Sequence, residues 1–220
     1  MGIEQRNYCV FDLETTGLYP EEGAEIVQIG AIAFNHYDYS QHDAGIFEVI
    51  LKPQFPEKAN KEAIKIIGEE LWERANNEGL HPKVGLRAFI DYIDLLNPSG
   101  KFWNAPVLVG FNSIRFDEPF LQYWLKHYKI IKNTKEWPWA NTSIDVKCQM
   151  SDLFAKDNLP NRKLDTFLDM LGIPRSTEEH SAIEDVDRTA QIFIRYRKLM
   201  ERVRKNIKIL TPEEYQKLNG

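Results

Sequence analysis

The chain has 220 residues and a hydrophobic content of 43%, enough for the core of one α/β domain and too much for a disordered or fibrous protein. Its net charge of −5 argues against a protein that grips duplex phosphate over its whole surface, and two cysteines are too few for a disulfide scaffold or a cysteine-rich zinc site. Apolar runs reach no more than about six residues, as in 29–34, far short of the roughly 20 that cross a bilayer, so no membrane span is expected.

Residues 1–7 are polar and lack the pattern of a secretory signal, which gives the expectation of a soluble, cytoplasmic protein in which Cys9 and Cys148 are buried thiols. A first strand is predicted over 8–11, and a second, rich in β-branched and small residues, over 25–34. A third over 47–51 is stopped by Lys52 and Pro53. From Glu62 the pattern turns helical, with Leu86, Phe89, Ile90, Ile93 and Leu96 at helix spacing until Asn97, Pro98, Ser99 and Gly100 break it. A buried strand over 107–111 precedes a helix from about 118 to 128. A short strand near 143–146 and two helices, 163–171 ended by Gly172 and a long one over 181–205, complete the pattern. This order predicts a mixed five-stranded sheet flanked by helices in a single domain over 1–220, with its core at about 8–205 and a short helix at about 211–218.

Charge is divided along the chain. Residues 1–118 carry 10 Lys and Arg against 19 Asp and Glu, and residues 119–220 carry 18 against 14, seven of these basic groups lying between Arg195 and Lys208. An acidic half suits a cation site, and a basic helix is either an anion-facing surface or a solvated face.

Asp12 and Glu14 stand two apart where the first strand runs into Thr15, Thr16 and Gly17, so both carboxylates face one side while Leu13 faces the other. Two adjacent anions need a cation, or one of them takes up a proton. Asp117 follows the strand at 107–111, at the kind of strand end where functional groups of open α/β sheets gather. Ser181 and Glu184 form a capping box, which leaves His180 just outside the last long helix and puts Asp185 at the end of its first turn. Each fragment alone is ordinary. Together they offer four hard oxygen donors without a Cys or His cluster, a set suited to Mg²⁺ or Mn²⁺ and unsuited to zinc.

These segments resemble the three motifs of the DnaQ-like (DEDDh) 3′-5′ exonuclease family, whose fold is ribonuclease H-like. The first motif is Phe11 through Leu18, the second is Asn112 with Phe116 and Asp117, and the third is His180 with Asp185; the resemblance covers about residues 8–200. It implies a nuclease that releases 5′-mononucleotides from the 3′ ends of single-stranded nucleic acid. In that scheme Asp12 bridges two divalent ions, Glu14 and Asp185 complete the site of the ion that activates water, Asp117 serves the second ion, and His180 is the general base. Thr15, Thr16, Gly17 and Leu18 would form the pocket of the 3′-terminal nucleotide, with Leu18 wedged against its base, and Asn112, Arg115 and Phe116 would contact substrate. The stretch around Arg115 is similar to the exonuclease I branch, which favours DNA. Trimming of RNA in the manner of ribonuclease T and oligoribonuclease, a proofreading or repair role, and a non-catalytic nucleic-acid-binding module are the alternatives. Trp137 and Trp139 flank a proline in a polar loop and are candidates for base stacking, with Lys126, Lys129, Lys132 and Lys135 near them in sequence, whereas Tyr123 and Trp124 read as core.

Overall fold

The computed structural model describes residues 6–132, 137–174 and 181–206. Five strands, β1 (Tyr8–Thr15), β2 (Ile26–Phe34), β3 (Gln41–Ile50), β4 (Val107–Gly110) and β5 (Ile144–Asp145), form one sheet in the order β3-β2-β1-β4-β5. β2 runs antiparallel to both β1 and β3, and β1, β4 and β5 run parallel. Parallel neighbours need a crossover, supplied here by helices between β3 and β4 and between β4 and β5.

Side-chain alternation along β1 sorts the two faces. Cys9, Phe11 and Leu13 join the core that packs against α3 (Pro82–Leu95) and α4 (Asp117–His127). Tyr8 and Val10 join the opposite core, beneath α5 (Val146–Leu153), α6 (Leu164–Met170) and α7 (Ala182–Asn206). Asp12 and Glu14 share the parity of Tyr8 and Val10 and therefore belong to the face on which α7 lies. A smaller cluster joins Val27 to α1 (Lys61–Ile67) and α2 (Glu69–Glu78). Among the described residues no helix is long and apolar enough to cross a membrane.

Within the described residues the expected elements are present, with informative differences. β1 continues to Thr15, so Asp12 and Glu14 lie within the strand and not at its end. β3 begins at Gln41, six residues before the apolar run, because an edge strand tolerates the polar, partly exposed sequence that hid it. α5 was not expected: Asp145 caps it, accepting a hydrogen bond from Cys148 N, and converts the end of the short strand directly into helix. Cys9 is buried as expected, but Cys148 is exposed, because on α5 it faces outward while Val146 and Met150 take the core. The expected helix at 211–218 lies outside the described residues.

Candidate active site

The site exists because β1 outruns its parallel neighbour. The last β1 residue in register with β4 is Val10, opposite Val109, whereas pairing with β2 continues through Glu14 opposite Gln28. Asp12 and Glu14 thus sit on a strand held from one side only, and the chain leaving β4 opens room beside them.

α7 brings in the third acid. Gln28 is a lone large polar residue in an otherwise apolar, fully buried strand. Its Nε2 donates to Glu48 Oε1 at 2.7 Å, and its Oε1 accepts from Ala182 N at 3.0 Å, so the sheet itself satisfies one of the free amides at the start of α7. Ser181 Oγ accepts from Glu184 N at 3.3 Å, the expected cap. One carboxylate oxygen from each of Asp12, Glu14 and Asp185 comes within 4.8 Å of the others. Arg188, one turn further on, donates from Nη1 to Asp185 Oδ1 at 3.0 Å, with Nη2 3.7 Å from Glu184 Oε2.

Asp117 enters from the other side, in the first turn of α4 and buried. The connection that delivers it is pinned: Asp145 Oδ1 accepts from Asn112 N at 3.1 Å, Lys147 Nζ donates to Asn112 Oδ1 at 3.2 Å, and Asn112 adopts a positive φ of 67°. Asparagine is among the few residues that take this conformation readily.

The first-motif loop is equally fastened. Thr16 N donates to Glu25 O at 2.8 Å while Thr16 Oγ1 accepts from Glu25 N at 2.8 Å, and Thr15 Oγ1 donates to Gly17 O at 2.8 Å. Thr16 O receives Asn60 N, and Trp124 Nε1 donates to Ala24 O, tying the loop to α1 and α4. The Thr16 amide is therefore engaged in holding the turn. Leu18 projects at 66% exposed, and Phe116 lies partly buried against Phe120, while Arg115 is exposed. His180 lies outside the described residues, as does Lys135.

Sequence comparison matches the exonuclease family RNase_T over residues 9–193. The chain belongs to the DnaQ-like (DEDDh) exonuclease family. Its ribonuclease H-like fold is shared with E. coli Exonuclease I, solved in complex with a dT13 oligonucleotide, at a TM-score of 0.74 and 18% identity over 91% of this chain and 43% of that one. It is shared too with the nuclease domain of 3′hExo, a DEDDh family member bound to rAMP, at a TM-score of 0.68 and 20% identity over 90% of this chain and 94% of that one. A DNA polymerase III PolC-type from Thermotoga petrophila is 25% identical over 203 residues, which are 92% of this chain and only 13% of that protein.

The electrostatics of this acidic cluster follow from crowding. Burial, then Asp117, Glu14 and Asp185, push the Asp12 carboxyl well above the usual range. Burial, then Asp185 and Asp117, push Glu14 up to about 8. Asp117 is raised by burial to about 7, with the amides of Asp117 itself and of Leu13 pulling it part of the way back. Buried like charges at this separation are costly, and a divalent cation among them converts the repulsion into coordination. An all-oxygen set of this kind fits the hard ions Mg²⁺ and Mn²⁺.

Four residues that shape the acidic cluster escaped the sequence reading. Gln28 and Gly30, which interrupt the apolar run of β2, place the start of α7, while Asp145 and Arg188 position Asn112 and Asp185. Signals were present in the odd polar residue of a buried strand and in the Asp-x-x-Arg spacing on α7. Of the stacking candidates, Trp139 is removed from consideration: it is 2% exposed and belongs to the core, stacked on Trp137. Trp124 is core as expected, whereas Tyr123 is at the surface.

Proposed function

We propose that the domain hydrolyses phosphodiester bonds at the 3′ end of single-stranded DNA and releases 5′-mononucleotides. The observation that carries this is the convergence of Asp12, Glu14 and Asp185 within 4.8 Å, with Asp117 close enough to raise the first two. Asp12 would lie between two divalent ions, Mg²⁺ or Mn²⁺, with Glu14 and Asp185 on the side of the attacking water and Asp117 on the side of the departing 3′ oxygen. When bound, such ions supply Lewis acidity to both oxygens. His180 would take the proton of the water, a role matched to an unperturbed imidazole pKa near 6.5. Thr15, Thr16, Gly17 and Leu18 would shape the terminal-nucleotide pocket, Leu18 being apolar and exposed where a base needs a face to pack on. Asn112, Arg115 and Phe116 would border it.

DNA is favoured by the likeness around Arg115 and by the dT13 strand in E. coli Exonuclease I. Ribonucleotide trimming is the second reading, favoured by rAMP in the 3′hExo nuclease domain. A proofreading role beside a polymerase is a further setting, since the PolC-type relative carries the matching stretch within a far longer chain.

The test uses matched 5′-labelled DNA and RNA single strands with Mg²⁺ or Mn²⁺. A stepwise ladder that vanishes in Asp12→Ala and slows severely in His180→Ala is expected, faster on DNA. Degradation unchanged in both variants discards the assignment, and faster loss of the RNA strand reverses the substrate preference.

A further inference from the structure

A cavity of about 580 Å³ has Phe102, Glu118, Gln122, Trp137, Asn141 and Ser143 in its wall. Its volume is that of a small-ligand site. Glu118 directly follows Asp117, is 8% exposed, and its Oε1 is buried without a hydrogen-bond partner. A buried acceptor of this kind costs free energy until a donor reaches it. Trp137 stacks on the buried Trp139 with ring centres 4.9 Å apart and planes at 26°, so it is a platform anchored from behind, and Lys126 Nζ lies 5.7 Å from its ring centre.

We propose that this cavity binds one nucleobase of the substrate strand, 5′ of the scissile bond, with the base stacked on an aromatic wall and an N–H of its edge donated to Glu118. The inference rests on the exonuclease reading above. Three features select a base over another occupant. Aromatic faces beside a carboxylate and two amide side chains match the flat, polar-edged shape of a base. Gln122 also borders a separate shallow depression lined by Tyr123, Lys126 and His127, where basic groups accompany aromatic rings as they do along a bound strand. The third is position: Glu118 directly follows Asp117, which the reading above puts on the side of the departing 3′ oxygen, where the remainder of the strand would lie.

The experiment measures binding by fluorescence anisotropy of labelled single strands of about ten nucleotides, a length within the usual site sizes, to the Asp12→Asn protein in Mg²⁺. One abasic position is moved stepwise from the 3′ end. The expected result is a loss of about tenfold at a single internal position, in line with one stacked base. That loss shrinks to less than about threefold in Trp137→Leu and in Glu118→Leu, which leaves no acceptor, while the loss from an abasic 3′-terminal nucleotide is unchanged. If Trp137→Leu does not fold, Glu118→Leu carries the comparison alone. A flat internal profile, or an internal loss that both variants retain, overturns the proposal. Failure of the exonuclease reading is seen separately, as intact strands after incubation with the unmodified protein.

Discussion

Gly30 stands directly opposite Asp12 in the β1–β2 register, and a Cβ on it would lie 2.8 Å from the backbone carbon of Ala182 and 2.8 Å from Ile183 N. The first turn of α7 therefore rests on bare backbone of β2, and this contact sets how near Asp185 comes to Asp12 and Glu14. Glycine is required here by close approach, not by an unusual φ. In Gly30→Ala the helix start has to move, since the obstructing atoms are main chain. The expected outcome is a loss of about 1–3 kcal/mol in stability with a much larger proportional loss of nuclease activity and of Mg²⁺ affinity. Denaturant titration and Mg²⁺-dependent kinetics on the same preparation check it, and an active enzyme of normal Mg²⁺ affinity would show that the contact does not set the site.

Crowded carboxylates make the metal-free protein sensitive to pH in a defined direction. Glu14, raised to about 8, and Asp117, raised to about 7, bind protons more tightly folded than unfolded. Between the ordinary carboxylate range and those values unfolding releases protons, so stability rises as pH falls through this window and is lowest above it. A divalent cation removes the repulsion and competes with the protons. Melting in EDTA is accordingly expected to be higher at about pH 6 than at about pH 8.5, and Mg²⁺ is expected to raise Tm more at the higher pH. Equal Mg²⁺ shifts at both values would contradict the crowding.

The acids were legible in the sequence because each stands at a register or cap position that local rules expose: Asp12 and Glu14 by the two-residue period of a strand, Asp185 by the capping box that Ser181 begins. What was hidden is long-range. The reach of β1 beyond Val10 depends on where β4 ends, and the engagement of the Thr16 amide depends on Glu25, so neither can be read from one segment. Trp139 misled for the same reason. Its polar, proline-containing surroundings read as exposed loop, yet the loop folds back and places Trp139 in the core with Trp137 and Trp124. Burial alternates along the edge strand β3 but slips phase at Gly45, which adopts a positive φ of 71°, and the polar residues of its first half hide the pattern in the sequence.

Asp145 links three elements through one carboxylate oxygen, which accepts from Asn112 N at 3.1 Å and from Cys148 N at 3.3 Å. It caps α5 and holds Asn112 in its left-handed conformation on the path to Asp117. Asp145→Ala is expected to cost about 1 kcal/mol or more for the lost cap and to raise KM more than it lowers kcat, while Asp145→Asn, which keeps an acceptor oxygen, recovers most of both. Thermal melts and steady-state kinetics of the pair are the check. Identical behaviour of the two variants would mean that the charge of Asp145, and not its capping oxygen, is what the fold uses.

Arg188 is a positioning residue for the clustered acids. It is 7% exposed, and from one turn beyond Asp185 its guanidinium bonds Asp185 Oδ1 at 3.0 Å and lies 3.7 Å from Glu184 Oε2. A planar fork holds a carboxylate in orientation as well as by charge, which an amide or an ammonium cannot reproduce. Partners of this kind behind a metal ligand typically govern 10–100-fold in affinity or activity. Arg188→Gln is therefore expected to raise the Mg²⁺ concentration for half-maximal activity about tenfold, with a smaller drop in rate at saturating Mg²⁺. Arg188→Lys should fall between the two, because it restores the charge without the fork. Titration of activity against Mg²⁺, with calorimetry of Mg²⁺ binding in the absence of substrate, separates a positioning effect from simple loss of fold. Unchanged half-saturation in Arg188→Gln would show that Asp185 finds its place without the guanidinium.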